Sequence, residues 1–166
     1  MPINWLAVLV AALVPTLIGF LWYSVLFEKA WMKAAGMTEE KIKGGNMPVI
    51  FGVSFLLSVM LAMYMNVLSI HQFSIDGLFV VNGQPPAAGS ESALFLEAFH
   101  TNYDHLHRTF AHGVVHGIFA GILFILPIMG TAALFERKGW KYILINVGYW
   151  LVTVSIMAGI VCAWPA

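Results

Sequence analysis

Read for its apolar and charged positions, the chain contains four stretches without a single Asp, Glu, Lys or Arg: Trp5 to Phe27, Met47 to Ile70, Phe110 to Phe135 and Tyr142 to Trp164. A hydrocarbon core of roughly 30 Å is crossed by about 20 helical residues, and inside it only helices and closed barrels satisfy their own backbone. Runs of this length are helices, not barrel strands. The pattern predicts an all-α fold, a four-transmembrane-helix bundle that forms a single integral membrane domain over residues 1–166. The first run lacks a Lys/Arg leader and reaches Trp22-Tyr23 without a small-residue cleavage site, so it is expected to remain as a span rather than act as a removable signal.

The connection 71–109 is too long for a plain loop. Its first part holds turn residues (Asp76-Gly77, Asn82-Gly83, Pro85-Pro86, Gly89) around the short apolar run Leu78 to Val81, which is expected to dip into the interface or pair as a strand. Its second part predicts an amphipathic helix. Ser90 or Ser92 can cap it, and Phe95, Phe99, Tyr103, Leu106 and Phe110 recur at helical spacing. Periodicity leaves two dispositions open: the helix lies in the headgroup plane, or it runs straight into the third span.

Composition agrees with a lipid solvent. Apolar residues make up 60% of the chain and charged ones 10%, against about a quarter charged in soluble domains. Eight Lys and Arg balance eight Asp and Glu, so there is no basic surface for nucleic-acid phosphates. The lone Cys162 rules out both an intrachain disulfide and a cysteine zinc site. Lys29, Lys33, Lys41 and Lys43 fall in the connection 28–46, and Arg137, Lys138 and Lys141 at or beside 136–141, whereas 71–109 has only Arg108. The positive-inside rule then makes the first two segments cytoplasmic and places both termini and 71–109 outside. This is a multi-pass membrane topology with both termini on one side.

Helices in lipid associate through small residues and a few polar side chains. Gly113, Gly117 and Gly121 form a doubled GxxxG stripe in the third span, and Ala11, Pro15 and Gly19 have the same spacing in the first. Gly148, Ser155 and Gly159 share a face of the fourth. Such faces suit contacts within the chain and contacts in a homo-oligomer or with a membrane-complex partner equally well. The strings Leu26-Phe27-Glu28-Lys29 and Leu134-Phe135-Glu136-Arg137 end the first and third spans alike, which raises the possibility of a duplicated helix hairpin.

All six histidines lie between positions 71 and 116. On a helix His112 and His116 share a face, and His105 joins their stripe if the helix is unbroken. His71, at the end of the second span, can approach them. His100, Asp104 and His107 make a second stripe. Two imidazoles one turn apart chelate zinc or another divalent transition metal, and a third ligand leaves an open position. The candidate metal set is therefore His112, His116, His105 and His71. Met60 and Met63 suggest a soft-metal ladder, with packing as the simpler role. Against a metal role stands the use of histidine as an ordinary interfacial residue or a pH-responsive patch. No Ser-His-Asp or Cys-His arrangement stands out, and no catalytic residue is assigned.

Several strings together, Gly19-Phe20-Leu21-Trp22-Tyr23-Ser24, His112-Gly113, His116-Gly117, Leu134-Phe135-Glu136 and Asn146-Val147-Gly148-Tyr149-Trp150, resemble the bacterial membrane family named domain of unknown function 1761. The resemblance implies a small multi-pass membrane protein and carries no activity, cofactor or catalytic residue. Two functional classes follow from the residues: a permease, channel or metal-handling protein built on the histidines, and a structural or accessory subunit whose glycine faces dock a partner.

Overall fold

The computed structural model describes residues 2–166. Its helices are α1 (Trp5–Phe20), α2 (Glu28–Ala35), α3 (Glu39–Lys43), α4 (Met47–Ser69), α5 (His71–Leu78), α6 (Glu91–Tyr103), α7 (Phe110–Ala120), α8 (Leu126–Phe135) and α9 (Trp140–Ala163). Among the described residues there is no strand, only an isolated bridge between Val81 and Gln84 around the Asn82-Gly83 turn. Wide π turns continue α1 through Leu21–Leu26 and join α7 to α8 through Gly121–Ile125. The second π segment leads into Pro127, which lacks an N–H for the helix ladder.

Four helices, Trp5–Leu26, Met47–Ser69, Phe110–Phe135 and Trp140–Ala163, are long and apolar enough to cross a membrane. Three of the four begin where an isolated polar residue accepts from the free N–H groups of a first turn. Asn4, Asn46 and Thr109 cap α1, α4 and α7 through their side chains, and Gly139 precedes α9. The outer faces carry large apolar residues such as Leu17, Leu56 and Leu123, each more than half exposed, which is the surface a bilayer covers.

The bundle is asymmetric. In its most apolar window α9 is 61% buried but α4 only 11%, so α9 is the central helix and α1, α4 and α7 pack around it. The two hairpins are therefore not equivalent: the duplication suggested by the matching span ends does not extend to packing. Gly113 and Gly117 decide the closest crossing. A Cβ on Gly113 would lie 2.2 Å from the Ala158 carbonyl oxygen, and one on Gly117 2.3 Å from the Ser155 Cα. Only glycine permits this approach of α7 to α9, so the stripe that could have joined subunits makes a contact within the chain. Gly121 meets Leu151, and Gly159 receives the Phe110 ring.

On the far side Ala11 is fully buried, and Gly19 lies against the Tyr149 ring while Tyr149 donates to the Pro15 carbonyl at 2.8 Å. Gly148 faces Trp22, whose indole N–H donates to the Ile145 carbonyl at 2.9 Å. These bonds place polar hydrogens on otherwise competing backbone acceptors inside an apolar bundle.

The chain ends and the 71–109 connection gather at one end of the bundle. Asn4 Nδ2 donates to the Pro165 carbonyl, Arg108 Nε to the Cys162 carbonyl, and the Cys162 thiol faces the carbonyls of Ser69 and His107. At the opposite end Lys138 Nζ donates to the last carbonyl of α2, Ala35, at 3.1 Å.

Candidate metal centre

Two breaks in the chain create the histidine site. The first is at Ile70, whose extended backbone (φ −111, ψ 99) ends α4 and turns the chain into α5, with His71 as its first residue. Residues 71–78 are helix, a correction to the turn-rich reading of this segment, and Leu78 to Val81 form no paired strand beyond the single bridge. The second break follows α6. Ser90 caps that helix as expected, but it stops at Tyr103, and the turn 104–108 includes His107 in the left-handed region at φ 60. Thr109 then starts α7. The connection thus holds separate short helices, and α6 does not run into the third span.

This second break redistributes the histidines. His112 and His116 stay one turn apart on α7, and His71 comes to them from α5. His112 Nε2 is 3.1 Å from His71 Nε2 and 3.1 Å from His116 Nε2, and one ligand nitrogen from each of the three lies within 4.8 Å of the others. The three rings pack edge to face, with centroids 4.6 to 5.0 Å apart. His112 and His116 are half-buried and His71 is exposed, so the cluster sits at the mouth of the bundle and opens outward.

His105 is not among them, because the stripe that would have aligned it with His112 needs an unbroken helix. It lines a separate recess with Asp104, Arg108 and Pro165. His107 takes the adjacent position instead, its ring centroid 5.1 Å from His112 and 6.2 Å from His71. Met60 is 66% exposed and Met63 packs against the apolar core, the packing role that is the simpler reading of both.

Convergence of three Nε2 atoms has a specific chemical meaning. A neutral imidazole Nε2 carries either one in-plane N–H or one in-plane lone pair. His112 Nε2 can therefore make one good hydrogen bond, yet it has two nitrogen neighbours at 3.1 Å. A cation accepting all three lone pairs resolves the conflict. Two nitrogens bound to one zinc at roughly 2.0–2.1 Å lie roughly 3.0–3.4 Å apart, in the range found here.

The supporting shell includes a residue that sequence reasoning missed. Gln72, beside His71, is buried, and its Nε2 lies 3.1, 3.3 and 3.0 Å from the carbonyls of Tyr103, Asp104 and Leu106. Its only sequence signal is an amide next to a candidate ligand at the end of an apolar run. Further out, His100 lies between Asp76 and Asp104, at 2.6 Å from each. The Asp104 bond raises the His100 pKa above its ordinary value, burial works against this, and Asp76 adds to the rise. Burial pulls the Arg108 guanidinium down from its ordinary value, with Cys162 and Asp104 opposing.

A bundle of four apolar, membrane-length helices defines a multi-pass membrane protein. The family model described as protein of unknown function (DUF1761) matches residues 6–162, nearly the whole chain, and the protein belongs to that family. No curated protein and no solved structure matches the chain.

Proposed function

We propose that this protein binds a divalent transition metal, with zinc the first choice, through His71, His112 and His116 at the membrane boundary, as part of a metal-handling role in the bilayer. The observation that carries this is the 3.1 Å approach of His112 Nε2 to two other imidazole nitrogens, which one bound cation satisfies and neutral hydrogen bonding does not. Imidazole is a borderline ligand that suits zinc, copper, iron and nickel, and three protein ligands leave room for water or for a transferring ligand. His105 is left outside the set by the helix break at Tyr103.

The proposal includes an orientation. Seven of the eight Lys and Arg, all but Arg108, lie in or beside the segments 28–46 and 136–141, and this bias favours an external histidine face and external termini, as in a bacterial inner-membrane protein. The competing assignment, a structural subunit or homo-oligomer joined through its glycine faces, has less support because α9 of the same chain covers Gly113 and Gly117.

Elemental analysis of purified protein tests the proposal. Stoichiometric zinc, copper, iron or nickel that is lost in His112→Ala and His116→Ala is the expected result. Metal-free wild-type protein that also fails to take up added zinc rejects it.

A further inference from the structure

His100 stands apart from the three converging imidazoles and is not used by them. Its ring is held between carboxylates of two different elements: Nδ1 faces Asp104 Oδ1 just after its own helix, and Nε2 faces Asp76 Oδ1 on α5, each at 2.6 Å. A neutral imidazole has one N–H and one lone pair, and a lone pair this close to a carboxylate oxygen is repelled. Both contacts are hydrogen bonds only when both ring nitrogens carry protons. The imidazolium then ties α5 to the end of α6.

The tied helix is the one that begins with His71. Gln72 holds its first turn to the 103–106 carbonyls, and Asp76, one turn further, is the point His100 grips. The His100 grip is one of several ties on this eight-residue helix, with the Gln72 bonds at its first turn and Phe79, just past its end, packed on Phe95 of α6 at 5.4 Å between ring centroids; loss of a charged tie between them lets its attitude vary. The reach of His71 toward His112 depends on that attitude.

We propose that His100 is a positioning residue for the histidine cluster: as an imidazolium bridging Asp76 and Asp104 it clamps α5 onto α6 and keeps His71 against His112 and His116, and loss of its proton releases the clamp and weakens metal binding. The effect on metal rests on the metal-binding reading above; the clamp does not.

The ionisable groups acting on the ring are Asp104, beyond its own helix, and Asp76, from α5. Because His100 has its pKa raised in the folded protein, the stabilisation from its charge is fully present below the ordinary histidine value. It is lost as pH rises through the raised value.

The test uses the full-length protein in lipid nanodiscs, stripped of metal. Hydrogen exchange of the α5 amides is followed against pH after correction for intrinsic rates, alongside zinc affinity in the same samples. In the wild type, α5 protection is expected to hold through mildly acidic pH and to fall roughly tenfold as His100 deprotonates, the scale of a lost charge-assisted hydrogen bond. His100→Gln should show the low protection at every pH. His100→Arg, a permanent cation whose planar fork can serve both carboxylates, should keep protection into alkaline solution. Asp104→Asn, which removes one charge and keeps an acceptor, should move the wild-type transition to lower pH.

At a given pH, where proton release by the ligand imidazoles is the same in both proteins, zinc affinity should be lower in His100→Gln than in the wild type, and the difference should close as the wild-type clamp opens. A wild-type profile flat in pH, or His100→Gln indistinguishable from wild type, overturns the clamp. Zinc bound through His112 but indifferent to His100→Gln overturns the positioning role and leaves the metal reading standing. A clear pH-dependent clamp in protein that binds no zinc at any pH upholds the clamp and overturns the metal reading together with the proposed regulation.

Discussion

His71 and His112 are 41 positions apart in the chain, and their Nε2 atoms meet at 3.1 Å. The contact exists because α4 ends at Ile70, where the site is, and because α7 starts from the Thr109 cap at the same level. A ligand set assembled from two helix starts should lose metal when any one member is removed. His71→Ala, His112→Ala and His116→Ala are each expected to weaken zinc binding by more than the roughly 10–100-fold typical of losing an outer-shell partner. His105→Ala should leave the affinity within twofold, and competition with a calibrated chelator measures all four. A His105→Ala loss as large as that of His112→Ala would return His105 to the set.

The α7–α9 crossing makes a second prediction that is independent of metal. Gly113→Ala and Gly117→Ala each force a methyl carbon against backbone atoms at 2.2 and 2.3 Å, and backbone cannot rotate away as a side chain can. Each should destabilise the protein by about 1–3 kcal/mol or more, the range for overpacked interiors. Gly121→Ala, whose nearest neighbours are Leu151 atoms at 3.0 to 3.1 Å, should cost less. Gly52→Ala meets nothing within 4 Å and should be neutral or slightly stabilising through helix propensity. Thermal unfolding in detergent ranks the four, and equal effects at Gly52 and Gly113 would contradict this packing.

The spans were legible in the sequence because lipid excludes charge so strongly that Glu28, Arg108 and Glu136 fall within two residues of span ends, although the fourth helix starts at Trp140 and takes Lys141 into its first turn. The His112–His116 pair was legible for the same kind of reason, a helical repeat inside a well-marked helix. The end of α6 was not. No glycine or proline interrupts 104–109, and the residue that turns the chain, His107 at φ 60, belongs to a type that visits the left-handed region more often than most but far less often than glycine, so its identity does not announce a turn. Its surroundings are remote in sequence: Cys162 Sγ lies 3.3 Å from its carbonyl. The exchange of His105 for His107 beside the site follows from that one turn. The glycine stripe was legible as a contact, but its partner was not, since spacing says nothing of which helix lies opposite.

Gln72 carries a prediction about that turn. Its amide nitrogen has two N–H groups for three carbonyls, those of Tyr103, Asp104 and Leu106, and it is the buried polar link between α5 and the end of α6. Gln72→Leu keeps the volume and leaves these acceptors without their donor. The acceptors belong to exposed or half-buried residues that water can reach, so the expected cost is about 0.5–1.5 kcal/mol per bond lost, with zinc affinity lowered through His71. Gln72→Glu should be worse, because a carboxylate adds negative charge to three carbonyl oxygens and donates nothing. If Gln72→Glu matches the wild type in both stability and zinc affinity, the amide does not hold this turn.

Orientation can be checked chemically. Ser90 caps α6 at the histidine end of the bundle, while Thr38 caps α3 among the lysines at the other. The native thiol, Cys162, is buried and should react slowly, so single cysteines placed at these two positions report separately. A charged maleimide added to intact bacterial cells is expected to label Ser90→Cys and to spare Thr38→Cys until the membrane is permeabilised. This follows from the Lys and Arg bias, since short loops carrying such residues stay cytoplasmic and loops without them are translocated. The opposite labelling pattern would place the imidazole cluster on the cytoplasmic face, where a metal-binding role would act on the internal pool of ions.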